Sequence, residues 1–245
     1  MAHNTLDLET TGGIATITLN RPPMNAVTDE MLDELVSVCT ELESDDTINV
    51  IILTGAGRAF SAGRDGPGVL AGKERPGGLR YAILEQIKMP VIAAVNGFCF
   101  TGSFELAMCA DIIIASDKAK FADTHSRFGI TPGGGQTQRL PRLIGARKAK
   151  EILFTGRQIS AEEAEQIGII NKVVPHDTLM DEARTMAAMI LENIPETISI
   201  EKQLINQSMT TTLKEGLELE AAENPSGVIS PTPEGHKRME TLFKK

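Results

Sequence analysis

Asn96-Gly97-Phe98-Cys99-Phe100-Thr101-Gly102-Ser103-Phe104-Glu105-Leu106-Ala107 links two short apolar runs, Val91 to Val95 and Ile112 to Ala115. Both runs are continuous rather than alternating, as in strands buried on both faces. Residues 102 to 109 between them are helix-prone and opened by a glycine, so the middle of the chain has a β-α-β rhythm. Gly102 stands where that helix begins. There the amides have no partner within the helix, and the positive end of the helix dipole favours negative charge. Glu105, three residues on, lies about one turn away.

A second stretch of this kind, Phe60-Ser61-Ala62-Gly63-Arg64-Asp65, follows the apolar run Asn49 to Leu53. Small residues in both stretches let a backbone N–H approach a ligand closely, and two such donors aimed at one point form an oxyanion hole. A carboxylate at Glu105 would then reach the carbon chain attached to a carbonyl held there. Further upstream, Ile14 to Leu19 alternates, with Ala15, Ile17 and Leu19 on one side, which predicts a half-buried strand. It stops at Asn20-Arg21-Pro22-Pro23. Thr28 is then expected to cap a helix carrying Leu32, Leu35, Val36, Cys39 and Leu42 at helical spacing. Downstream, one helix is expected around Leu79 to Ile87. The last hundred residues read as nearly all helical: Ala146 to Phe154, Ser160 to Gln166 behind a Ser160-x-x-Glu163 capping box, Asp177 to Asn193, Pro195 to Ser208 and Leu213 to Glu223.

The chain's 245 residues are 41% hydrophobic, 23% charged and 4% aromatic, enough to bury a core without disulfides or a structural metal. Asp and Glu number 33 against 24 Lys and Arg, a formal net charge of −9. Such a field repels nucleic acid and anionic membranes, so neither is an expected partner. Cys39, Cys99 and Cys109 are odd in number and sit in apolar segments, which fits a reduced, cytoplasmic compartment. Met1 to Gly13 lacks a basic region followed by a long apolar run, and no stretch reaches the ~18 uninterrupted apolar residues of a membrane span. Neither export signal nor anchor is expected.

Nucleotide motifs fail on particular residues. After Gly55-Ala56-Gly57 the third glycine of a dinucleotide fingerprint would fall on Phe60, and Gly72-Lys73 is followed by Glu74 rather than Ser or Thr. Gly102-Ser103-Phe104 continues to Glu105, so there is no hydrolase elbow. His3, His125, His176 and His236 form no cluster in the sequence, and no catalytic metal is expected.

The order and spacing of several motifs resemble the crotonase (enoyl-CoA hydratase/isomerase) superfamily along nearly the whole chain. They are Ile14 to Pro22 with Asn25-Ala26, Phe60 to Asp65, Asn96 to Asp111, Phe121-Ala122-Asp123, Gly129-Ile130-Thr131-Pro132-Gly133-Gly134-Gly135 with Gln138-Arg139-Leu140, Thr155-Gly156, and Gly168 to Pro175. The resemblance implies an α/β fold, a crotonase-like spiral of ββα turns over residues 1–190. It also implies a helical C-terminal module over 191–245, through which such proteins assemble as homotrimers or dimers of trimers. Leu204, Leu213, Leu217 and Leu219 would supply its apolar surface.

Carried over position by position, the resemblance implies oxyanion-hole amides at Arg64 and Gly102 that grip an acyl-CoA thioester oxygen and stabilise an enolate. It implies a catalytic glutamate at Glu105. His125 falls where the hydratases carry a second glutamate, so a carboxylate would pair with an imidazole that titrates near neutral pH. Pro23, Met24, Ser61, Ala62, Gly63, Asp65, Pro132 and Gly133 match positions lining the substrate and CoA path. The Arg64 guanidinium is expected to be solvated, and Asp123 to be a turn or cap residue. The implied reaction is addition of water across a 2-enoyl-CoA, with no cofactor beyond the coenzyme A of the substrate. Two alternatives stand beside it: double-bond isomerisation or thioester/β-diketone hydrolysis on the same fold, and an acyl-CoA-binding scaffold with a vestigial site.

Overall fold

The computed structural model of the chain describes residues 3–224, 226 and 230–243; the outermost positions of the expected 1–190 and 191–245 divisions lie outside them. Contacts separate a first compact unit ending at Ile190 from a second beginning at Leu191.

The first unit opens with β1 (Leu6–Thr11) and β2 (Ile14–Leu19), an antiparallel pair. In β2 the alternation places Ala15, Ile17 and Leu19 in the core. Next come α1 (Asp29–Glu43), β3 (Val50–Gly55), β4 (Ala59–Ser61), α2 (Gly66–Leu70), α3 (Gly78–Tyr81) and α4 (Ile83–Gln86). Then follow β5 (Val91–Val95), β6 (Phe98–Phe100), α5 (Gly102–Ala107), β7 (Ile112–Ser116) and β8 (Lys120–Ala122). The unit closes with α6 (Gln136–Ile144), α7 (Ala146–Thr155), β9 (Ile159–Ser160), α8 (Ala161–Gln166), β10 (Lys172–Val174) and the greater part of α9 (Leu179–Leu191). Thr28 caps α1 as expected, its hydroxyl accepting from the Met31 amide at 3.1 Å. The helix buries Met31, Leu32, Leu35, Val38, Cys39 and Leu42, each worth about 1.5–3 kcal/mol before the entropy of ordering is set against it.

The topology explains the site. A six-stranded sheet runs β1-β2-β3-β5-β7-β10 and a four-stranded one β4-β6-β8-β9. Three times the chain passes from a long strand of the first sheet to a short strand of the second: β3 to β4, β5 to β6, β7 to β8. Because β4, β6 and β8 pair in parallel, the segments leaving their ends lie side by side. This is the ββα spiral, and it brings Ala62–Asp65 next to Thr101–Glu105.

Three local expectations are corrected. The single helix expected over 79–87 is two short ones, α3 and α4, broken at Ala82, with Tyr81 and Leu84 buried from successive pieces. At α8 only one arm of the capping box forms. The Ser160 hydroxyl accepts from the Glu163 amide at 3.2 Å, but the Glu163 carboxylate is taken by Arg157 at 2.5 and 2.9 Å, a charge-assisted fork stronger than a bond to a neutral amide. The helix expected from Asp177 begins at Leu179, after a 3₁₀ turn over His176–Thr178.

The second unit contains α10 (Pro195–Ser208), α11 (Leu213–Ala222) and α12 (Pro233–Phe243). Thr212 and Glu215 form a complete capping box on α11. Ile205, Met209, Leu213, Leu217, Met239, Leu242 and Phe243 are exposed. Among the described residues no helix is long and apolar enough to cross a membrane.

Candidate active site

Two unpaired amides meet where β4 and β6 end. Gly63 has φ +95°, and a Cβ there would stand 2.7 Å from the Phe100 carbonyl and 3.5 Å from the Gly102 nitrogen, so only glycine lets the strands' ends approach this closely. On either side of Arg64 the backbone is tied to Val27: the Val27 amide donates to Gly63 O at 2.8 Å and the Asp65 amide to Val27 O at 2.9 Å. Among the described residues the Arg64 N–H between them has no acceptor, and nor has Gly102 N–H, the first of α5.

Thr101, just before, is a non-glycine residue at φ 54°, a conformation that costs on the order of 1–3 kcal/mol. It is held there by its amide on Ala122 O at 2.7 Å and by its hydroxyl, 2.7 Å from that of Thr124. The Ser103 hydroxyl bonds Ser61 O at 2.6 Å and Phe100 O at 2.8 Å, joining the two strands from beneath. Ser103 lay unassigned within the sequence motif; its role needs the three-dimensional neighbourhood of Ser61 to be seen.

Glu105 projects from α5 and is 3% exposed. Its Oε1 accepts from the Gly134 amide at 2.8 Å and the Gln136 amide at 3.1 Å, which leaves Oε2 for chemistry. His125 Nε2 lies 3.9 Å from that oxygen, and His125 Nδ1 is 2.9 Å from Asp123 Oδ2. Asp123 Oδ1 also accepts from the His125 amide at 3.0 Å. Asp123 is therefore more than a turn residue: buried itself, it fixes the ring so that Nε2 faces Glu105. Burial pushes the Glu105 carboxyl up, against the opposing Gln136 amide, His125 charge and Gly134 amide. For His125 burial works against the cation, but the Asp123 hydrogen bond and the charges of Asp123 and Glu105 outweigh it and raise its pKa. A buried carboxyl with its pKa raised, facing an imidazole across a short gap, is an arrangement suited to proton transfer.

Gly134 is itself held from behind. Arg139 Nη1 donates to Gly134 O at 2.8 Å while its Nε and Nη2 grip Glu85 at 2.5 and 2.7 Å. Pro132 and the exposed Gly133 lie on the loop leading there, the Gly78 amide donating to Gly133 O at 3.1 Å.

The Arg64 guanidinium is not solvated as expected. Its Nη2 bonds Asp29 Oδ1 at 2.7 Å, the Glu74 carboxylate and Arg75 O, and the side chain is 13% exposed. Asp29, at the start of α1, also binds Arg75 and Arg80. Burial works against its carboxylate, but hydrogen bonds from Arg75, Arg80 and Arg64 outweigh it and hold the group well below the usual range. A guanidinium with two half-buried carboxylates in reach gains more from them than from water, an outcome invisible without knowing that Asp29 and Glu74 converge.

Met24 and Ala62 are neighbours, the Ala62 amide donating to Met24 O at 3.0 Å. The turn holding Pro23 and Met24 thus runs beside Ser61 to Asp65. Asn25, at φ 53° and buried, clamps it with Nδ2 bonds to the carbonyls of Ala56 and Ala59, both 2.9 Å. Ser61 and Gly63 are buried and bonded to each other, Ser61 Oγ accepting from the Gly63 amide at 3.2 Å. The Asp65 side chain caps α2 at Gly68 and pairs with Arg21 at 3.0 Å.

Comparisons with known proteins identify relatives along nearly the whole chain. The model of the family described as Enoyl-CoA hydratase/isomerase matches residues 9–228. A short-chain-enoyl-CoA hydratase of Clostridium acetobutylicum is 40% identical, the match covering 90% of this chain and 88% of that protein. A crotonyl-CoA hydratase of Syntrophomonas wolfei is 38% identical over 100% of this chain and 97% of its own. Among solved structures, an enoyl-CoA hydratase from Bacillus anthracis superposes with a TM-score of 0.88 at 32% identity, covering 99% of this chain and 97% of that one.

Proposed function

Since the chain belongs to the enoyl-CoA hydratase/isomerase family, we propose that it is an enoyl-CoA hydratase, an enzyme adding water across the double bond of a 2-enoyl-CoA. The observation that carries this reading is the 3.9 Å separation of Glu105 Oε2 and His125 Nε2, beside two amides with no acceptor. The thioester oxygen takes hydrogen bonds from Arg64 N–H and Gly102 N–H. Glu105 removes a proton from water as its oxygen bonds to C3, and the displaced electron pair moves through C2 to the thioester oxygen, forming an enolate. The two amides stabilise that charge where it develops. Collapse of the enolate takes the proton from Glu105 onto C2, so H and OH add and Glu105 returns to its starting state. His125, aimed by Asp123, orients the water.

The turn at Pro23 and Met24, the run Ser61, Ala62, Gly63 and Asp65, and the loop at Pro132 and Gly133 line the substrate and CoA path in this reading. Backbone rather than side chain makes these contacts, as the use of Asp65 in a cap and an ion pair suggests. No metal or organic cofactor is needed; coenzyme A arrives as part of the substrate. The exposed apolar residues of α10 to α12 support assembly as a homotrimer or dimer of trimers, and a monomer by light scattering would refute it. Three buried free cysteines support a reducing, cytoplasmic setting.

The test is direct. Purified protein given crotonyl-CoA should bleach the conjugated enoyl-thioester absorbance and yield a product heavier by one water. His125 in place of a glutamate favours one other reading, isomerisation by proton shuttling through Glu105 alone. If His125→Glu raises hydration strongly above wild type, that reading replaces the first. Stabilisation by CoA esters with no turnover of any kind would leave the binding scaffold.

A further inference from the structure

We propose that the Tyr81 hydroxyl is a third hydrogen-bond donor to the thioester oxygen, acting with the amides of Arg64 and Gly102. The proposal rests on the reading of those amides as an oxyanion hole.

Tyr81 ends α3 and has no exposure, yet among the described residues its hydroxyl has no acceptor. Burying a hydroxyl unpaired costs about 1–3 kcal/mol, and phenylalanine would fill the same space without that cost. The hydroxyl lies against both oxyanion residues. A Cβ on Gly102 would stand 2.9 Å from Tyr81 Oη and 3.0 Å from Arg64 Cγ, so the phenol oxygen and the stem of Arg64 close together over the Gly102 Cα.

The ring is held rigidly. It packs on the bare backbones of Gly77 and Gly134: a Cβ would come within 2.2 Å of it at the first and 2.4 Å at the second. The same point above Gly134 is 2.6 Å from Glu105 Oε2. Tyr81 therefore spans the site from the acid/base group to the oxyanion residues. Donors fixed before the reaction, aimed where charge appears, stabilise a transition state without reorganisation. Burial pushes the phenol well above its ordinary range, although nearby Arg64 opposes the shift, so the group remains a neutral donor. Arg64 Nη1 is a second buried donor with no acceptor among the described residues; the guanidinium can approach the phenol oxygen only as a donor, which leaves the phenol's own proton for an acceptor. The enolate oxygen provides the acceptor that the Tyr81 hydroxyl lacks.

Tyr81→Phe keeps the ring and removes only the donor. We expect kcat for crotonyl-CoA to fall about 10- to 100-fold with KM changed less than about threefold, the pattern of an interaction made in the transition state. A second readout needs no turnover: 4-dimethylaminocinnamoyl-CoA bound to the wild type should show a red-shifted absorbance from carbonyl polarisation, diminished in Tyr81→Phe. Tyr81 is the only tyrosine, so biosynthetic 3-fluorotyrosine labels it alone, and its fluorine resonance should move on binding butanoyl-CoA in the otherwise unaltered protein. Equal kcat and equal red shift in Tyr81→Phe, or an unmoved fluorine signal, would overturn the role. A wild-type red shift that Tyr81→Phe diminishes, without hydration, would refute the hydratase reading while sustaining the donor. No wild-type red shift would end both.

Discussion

Glu105 Oε2 and His125 Nε2 stand 3.9 Å apart, too far for a direct hydrogen bond and close enough for a single oxygen atom to touch both. The other end of each group is already committed, Oε1 to two backbone amides and Nδ1 to Asp123. Only the facing atoms are available to a substrate or its water. A carboxylate pair would place two like charges across that gap. Here an imidazole faces the carboxylate instead, and Asp123 behind it raises the pKa of the ring.

Glu105→Gln separates chemistry from folding. The amide oxygen can still accept from Gly134 and Gln136, while the group able to take a proton is gone. General-base catalysis is worth roughly 10²–10⁴-fold, so hydration should fall by about that factor. The melting temperature should hold or rise, because a carboxyl whose pKa is raised by burial loses stability on ionising. A variant that keeps full activity would remove Glu105 from the reaction.

The pH profile tests the imidazole. With both pKa values raised, kcat/KM should be bell-shaped, its acid limb above the ordinary carboxylate range and its alkaline limb above the ordinary imidazole range. Asp123→Asn removes the partner that raises His125 and leaves burial in place, so the alkaline limb should move to lower pH. The stability contribution follows the same sign: a raised folded pKa on histidine stabilises below its unfolded value and is lost as pH rises through the folded one. Asp123→Asn should therefore lower the melting temperature more at about pH 5.5 than at about pH 9. An alkaline limb that stays in place would detach it from His125.

Much of this site was legible in the sequence because it rests on backbone and local spacing. Gly63, Gly102 and Glu105 lie in short motifs beside apolar runs, and the alternation of Ile14 to Leu19 and the spacing of Leu32, Leu35, Cys39 and Leu42 reported their faces faithfully, whereas Val36 of the same expected face is half-buried and Val38 is in the core instead. What escaped depends on partners far apart in sequence. Strands of two or three residues, such as β4, β6 and β9, are too short to show a period and exist through pairing. Arg64 was expected in water because nothing local reveals Asp29, 35 residues away, or Glu74. Tyr81 sits in a stretch expected to be an unbroken helix, and its importance appears only when Gly77 and Gly134 close on its ring.

Gly63→Ala probes the convergence of the two amides. The added methyl must adopt φ +95° and would stand 2.7 Å from the Phe100 carbonyl, so strand ends or the Arg64 peptide must shift. A cost of about 1–3 kcal/mol is expected from the strained backbone, read as a lower melting temperature. Loss of one oxyanion donor typically costs 10²–10³ in rate. Activity at a temperature where the variant is fully folded should fall by at least the lower figure. Wild-type turnover in a destabilised but folded variant would show that the Arg64 amide is not used.

Arg139 tests whether the support behind Gly134 matters to the reaction. Its fork on Glu85 is partly exposed, so breaking it should cost only about 1 kcal/mol of stability. Its bond to Gly134 O lies one peptide from the amide that holds Glu105 Oε1. In Arg139→Met, Gly134 is freed and the Glu105 carboxylate should lose its fixed aim, lowering kcat about tenfold with little change in KM, since positioning errors fall on the chemical step. Combining it with Glu85→Gln separates the two roles. The double variant should recover stability by neutralising a carboxylate that has lost its guanidinium partner, and it should not recover kcat, because Gly134 O still lacks its donor. If kcat returns together with stability, the Arg139 contribution is an ion pair and nothing more.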